Sequence, residues 1–111
     1  MKDGGLNTYY VFNENKDDKN SVCELFEEIS GRIMRVFTSY PGVQLYTGDY
    51  LNSAEIGEHS KFYEPFDGLC LECQYYPDSP NHAHFPNTIF VAGQVYNETI
   101  TYSFDIMIPE N

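Results

Sequence analysis

"TITYSFDIMI", residues 99–108, places Ile100, Tyr102, Phe104, Ile106 and Ile108 at every second position, with Thr101, Ser103, Asp105 and Met107 between them. A period of two sends alternate side chains to opposite faces of an extended chain, so this stretch reads as a strand with one apolar face. The same reading extends upstream. Residues 8–13 (TYYVFN), 21–27 (SVCELFE), 31–38 (GRIMRVFT), 43–48 (VQLYTG), 68–74 (GLCLECQ) and 88–92 (TIFVA) are short β-prone runs bounded by turn residues. Between them, residues 13–20 (NENKDDKN) form a charged tip, 28–32 (EISGR) a tight turn, and 40–42 (YPG) a break before the next strand. Residues 52–60 read as a loop with room for one helical turn. No stretch longer than ten residues keeps a helical period, and no segment repeats. The expected fold is all-β with antiparallel strands, a sandwich or part of one, in a single domain over residues 1–111.

Composition narrows the partners. Seventeen acidic against six basic residues give a formal charge of −11, which makes duplex nucleic acid and anionic membrane poor partners. Ten tyrosines and eight phenylalanines, within 41% hydrophobic residues, argue for a packed chain rather than a disordered one. An acidic, aromatic-rich surface suits a neutral polar ligand such as a sugar. The first ten residues hold no apolar export segment, and no run approaches the length of a membrane helix. Three cysteines without an export signal read as reduced thiols in the cytoplasm, and Asn97-Glu98-Thr99 matches the glycosylation pattern only by coincidence.

The densest chemistry lies in "GLCLECQYYPDSPNHAHFP", residues 68–86. Strand alternation puts Cys70, Glu72 and Gln74 on one face and Leu69, Leu71 and Cys73 on the other. The Cys-X-X-Cys pair therefore points to two sides, unlike a redox pair at a helix start or a zinc pair on a knuckle. No metal site is expected. Glu72, set among apolar residues, either faces water at an edge or is held in a cleft for a purpose. Asp78 after Pro77 reads as a turn former, and His82 and His84 as turn or surface groups in a proline-framed loop.

Three longer stretches add a resemblance. "RIMRVFTSYPGVQLYTGDYL", then "GLCLECQYYPDSPNHAHFPNTIFVAGQVY", then "TYSF" resemble the C-terminal portion of the aldose 1-epimerases (galactose mutarotases), over about residues 5–108. The matched motifs fall at Thr38–Gly48, Gly68–Pro86 and Gly93–Phe104. The resemblance implies a galactose-mutarotase-like β-supersandwich, of which this chain is a C-terminal segment. It implies an isomerase of carbohydrate metabolism that interconverts the α and β anomers of free hexoses such as galactose and glucose. A glutamate takes the C1 hydroxyl proton, a histidine protonates the ring oxygen, the ring opens, and closure on the other face gives the second anomer. That chemistry moves only protons, so no metal or nucleotide cofactor is implied.

Residue by residue, the family's base matches Glu72. A strand gives this carboxylate a fixed position, and an apolar setting would strengthen it as a base. Where the family usually has Gly-x-Asp-His-x-Phe/Tyr, this chain reads Gly5-Leu6-Asn7-Thr8-Tyr9-Tyr10. Asn7 thus stands at the sugar-contacting aspartate position, keeping hydrogen-bonding capacity without the charge. The family's acid histidine, and a further histidine and arginine that hold the sugar, lie upstream of anything matched here. His82 and His84 match loop positions after the base, and His59 matches no functional position. The chain is accordingly expected to be a truncated product, one half of a split enzyme or a domain fragment, with an exposed apolar face. Its expected partners are an aldose and either a complementary N-terminal chain or another copy of itself. A non-catalytic carbohydrate-binding module, with Tyr46 and Tyr75 stacking on a pyranose, and an inactive fragment are the alternatives.

Overall fold

The computed structural model describes residues 4–14, 16, 17, 19–52 and 54–108. Six strands form in chain order: β1 (Asn7–Val11), β2 (Cys23–Phe26), β3 (Arg32–Thr38), β4 (Gly42–Tyr46), β5 (Cys70–Gln74) and β6 (Ile100–Ile106). They make two three-stranded antiparallel sheets, ordered β1-β4-β5 and β2-β3-β6. Helix is confined, among the described residues, to two single 3₁₀ turns, Glu58–Ser60 and Ser79–Asn81. No described helix is long and apolar enough to cross a membrane.

The chain changes sheet at three connections. The charged tip at 13–20 carries it from β1 to β2; there Asp17 accepts hydrogen bonds from the Lys19 and Asn20 N–H groups, and Lys16 Nζ donates to the Thr38 carbonyl at 2.6 Å. The β2–β3 turn is fastened by Glu27, whose carboxylate accepts from the Ile29 and Ser30 N–H groups. The Tyr40-Pro41-Gly42 break returns the chain to the first sheet. Residues 47–69 loop round within that sheet, and 75–99 cross back to β6.

The core sits where the middle strands face each other. Val36 of β3 is fully buried against Val43 of β4 and Cys73 of β5, with Phe12, Val22, Met34 and Leu71 around them. The alternation expected of 99–108 holds: the Tyr102 hydroxyl crosses to donate to the Leu71 carbonyl, while Asp105, on the opposite face, approaches Arg35 at 3.9 Å. Beyond this small core much apolar surface stays open, as anticipated; Phe104 is 76% exposed and Ile29 97%. The radius of gyration is 17.4 Å, against about 13 Å for a closed domain of this length.

One expected strand does not form. Thr88–Val91 is irregular and unpaired, Ala92 opens a turn, and Ile89 and Val91 are largely exposed. Side chains have taken the backbone groups a neighbouring strand would use. Asn87 brackets Ile89, accepting from its N–H and donating to its carbonyl, and Gln94 Oε1 accepts from the Val91 N–H. Such local bonds compete directly with a ladder.

Candidate active site

The β1-β4-β5 sheet has one apolar and one polar face. Val43, Leu45, Leu71 and Cys73 turn toward the second sheet. On the other side, register and alternation gather Asn7 and Tyr9 from β1, Gln44 and Tyr46 from β4, and Cys70, Glu72 and Gln74 from β5.

Gln44 is the hub. It lies directly across from Glu72 in the β4–β5 register, and its Nε2 donates to Asn7 Oδ1 at 2.7 Å. Asn7, Gln44 and Glu72 thus form a slanting polar row across three strands, since the register sets Tyr9 directly opposite Gln44 and Asn7 reaches it diagonally. The two residues singled out from sequence share this face, and Gln44, which bonds Asn7 and lies across from Glu72, was missed. The signal that points to it is its even spacing within 43–48, which sets it on the face opposite Val43 and Leu45. Once β4 and β5 pair, that is also the face of Glu72.

Two glycines make the row geometrically possible. At Gly42 a side chain would collide with the Tyr9 hydroxyl and lie 2.5 Å from the Tyr10 carbonyl oxygen. Its absence lets Tyr9 cross β4 and donate to the Gln74 carbonyl at 2.8 Å, tying β1 over β4 to β5. Burial pushes the Tyr9 phenol up to about 12, so it remains a donor at physiological pH. Gly48, at φ +73, turns the chain so closely past Gly68 that a Cβ would run into its carbonyl oxygen. Beside Asn7 this turn helps form an open hollow of about 500 Å³, walled by Asp49, Tyr50 and Phe66.

Glu72 is solvent-exposed and does not line the hollow beside Asn7. Of the two settings left open for Glu72, the described residues give the one facing water rather than a cleft. The reason is topological: the two sheets pack through the other face, which leaves the polar row uncovered. Tyr46 stands beside the row, opposite both Asn7 and Cys70. Tyr75 does not join it. Its ring packs edge-on against Tyr40 and Tyr96, and its hydroxyl donates to Glu98, which pushes its pKa well up.

The histidines lie beyond the end of β5. His82 pairs with Asp78 at 2.9 Å and stacks on Phe85, with His84 edge-on to the same ring. Bonds from Asn81 and His82 hold the Asp78 carboxyl below its usual range. This is a self-contained turn. His59 is exposed in the 3₁₀ turn.

All three cysteines are free. Cys73 is in the core and Cys70 on the polar face, as alternation requires. Desolvation, with the neighbouring Glu72 carboxylate, pushes the Cys70 thiol up. Less thiolate is then present at neutral pH, so iodoacetamide is expected to alkylate Cys70 slowly, accelerating only above the ordinary thiol range. Mass spectrometry of labelled peptides checks this. Glu72→Gln should speed the reaction at neutral pH; an unchanged rate would mean that the two side chains do not interact.

The family described as Aldose 1-epimerase matches residues 2–103. Galactose mutarotase of Mus musculus is 36% identical over 102 residues, which cover 92% of this chain and 30% of that protein. Aldose 1-epimerase of Escherichia coli (strain K12) is 28% identical over 105 residues, 90% of this chain and 29% of that protein. The solved structure of a GalM/aldose epimerase homologue from C. elegans superposes with a TM-score of 0.83 at 27% identity, covering 94% of this chain and 31% of that one. The chain thus spans about 30% of the length of these relatives. With a family match over nearly all its residues and the same fold in a solved relative, this chain belongs to the aldose 1-epimerase family.

Proposed function

We propose that residues 1–111 are the base-bearing segment of a mutarotase domain acting on free hexoses such as galactose and glucose. The observation that carries this reading is the row Asn7–Gln44–Glu72 on one polar face. In it, Glu72 takes the C1 hydroxyl proton of the bound hemiacetal. An acid from outside these residues protonates the ring oxygen, and after rotation about C1–C2 the ring recloses with the protons returned. Asn7 and Gln44, whose amides offer both donors and acceptors, hold sugar hydroxyls beside the base. A complementary N-terminal chain or segment covers the polar face and brings the acid.

The exposure of Glu72 also favours a second reading, a sugar-binding surface without turnover. Both readings require sugar on the row. Galactose is expected to shift the side-chain amide resonances of Asn7 and Gln44, and Gln44→Ala to weaken binding by one hydrogen bond, about 0.5–1.5 kcal/mol or roughly twofold to twelvefold. A titration that moves neither amide would sink both.

A further inference from the structure

Among the described residues the outer edge of β6 has no partner strand, and that edge is its own complement. Seven residues long, it exceeds the other edge strands, β1, β2 and β5, and contains no Pro, Lys or Gly to blunt it. Its odd positions bond to β3: the Thr99 carbonyl accepts from the Ser39 N–H, and the Met107 N–H donates to the Gly31 carbonyl. In an antiparallel ladder the intervening residues then turn their N–H and C=O groups outward, here Ile100, Tyr102, Phe104 and Ile106.

We propose that a second copy of this chain pairs with that edge about a two-fold axis through Ser103. An antiparallel partner in this register sets Ile100 against Ile106 of the other copy and Tyr102 against Phe104. Every outward-bonding residue meets another, and each such pair is apolar. On the opposite face Ser103 meets Ser103, and Asp105 meets Thr101 rather than its own mate, so no like charges are directly opposed. The Ile106 N–H, which donates to Asp105 Oδ1 at 2.7 Å, exchanges that bond for one across the interface. A register centred one residue either way keeps the apolar pairing but overlaps less of the strand.

The side chains of this edge are open: Ile100 is 41%, Tyr102 44%, Phe104 76% and Ile106 62% exposed. Against association stands the charge of −11 on each copy, so salt should strengthen the pairing rather than weaken it. This inference is independent of the sugar reading.

Light scattering behind a sizing column should give twice the 12.8 kDa chain mass, with the dimer fraction rising with salt. Phe104→Pro is expected to return it to the single-chain mass. The N–H that proline removes points away from β3, so the monomer's own ladder is kept. A crosslink tests the register without depending on that variant. At a non-hydrogen-bonded antiparallel pair the Cα atoms lie about 4.5 Å apart, inside the disulfide range of about 4.4–6.8 Å. In a Cys70→Ser background, Ser103→Cys with oxidised glutathione should form a covalent dimer, releasing two reduced glutathiones per bond. Thr101→Cys, whose mate lies about 13 Å away, should not. A single-chain mass at every dilution and salt would leave the edge to a different polypeptide and overturn the proposal. So would a dimer that Ser103→Cys fails to crosslink, or one that Thr101→Cys crosslinks equally well.

Discussion

Freshly dissolved α-galactose is expected to mutarotate no faster with the isolated 111 residues than in buffer. Grafted into mouse galactose mutarotase in place of its matching segment, the same residues should support turnover. Glu72→Gln in that chimera should lower kcat by about 10²–10⁴, or roughly 3–5 kcal/mol of barrier, the usual worth of a positioned base. Three features set this expectation. Glu72 is present but uncovered. The described histidines are engaged elsewhere or exposed in the 58–60 turn; His82 is paired with Asp78 and stacked on Phe85. With one open face the sugar is poorly oriented, which forfeits much of the gain from proximity. Polarimetry reads the outcome, and sugar titration of the Glu72→Gln chimera separates lost chemistry from lost binding. Family-like rates from the 111 residues alone would show that the acid lies within them, with His82 or His84 the next suspects. An active chimera indifferent to Glu72→Gln would remove the base assignment.

What was legible in the sequence follows from what a strand encodes locally. Period-two alternation located six of the seven expected strands and assigned Cys70 and Glu72 to the face opposite Leu71 and Cys73, because that pattern needs no knowledge of neighbours. It failed at Thr88–Ala92, where Asn87 and Gln94 captured the backbone; β-prone composition does not say whether a partner strand exists. Gln44 was hidden for a related reason. Its role comes from pairing with β1 and β5, from segments more than 25 residues away in sequence. The exposure of Glu72 was illegible too, since alternation gives the face but not what covers it. The resemblance supplied the roles expected of Glu72 and Asn7, and the register supplied their common face.

Gly42→Ala is expected to be among the most destabilising single substitutions in the chain, about 3 kcal/mol, at the upper end of the usual cost of overpacking. The added methyl would collide with the Tyr9 hydroxyl and stand 2.5 Å from the Tyr10 carbonyl oxygen. The first neighbour can swing away, but the second is backbone held in the β1–β4 ladder, so β1 itself must move. The core offers little reserve, since Val36, Val43 and Cys73 carry most of it. A loss of this size is a large fraction of the 5–15 kcal/mol that a small domain has. Urea unfolding followed by far-UV circular dichroism gives the midpoint shift. Tyr9→Phe, which removes the hydrogen bond to Gln74 without adding bulk, should cost only about 1 kcal/mol. In the Gly42→Ala background Tyr9→Phe should cost less still, because the displaced hydroxyl no longer reaches its acceptor; the two substitutions share one contact and should not add. The same strain loosens Asn7 from Gln44, so galactose affinity should fall with stability in Gly42→Ala but not in Val36→Ala, whose cavity lies between the sheets. Equal loss of sugar binding in both variants would mean that Gly42 supports the fold alone and not the position of the polar row.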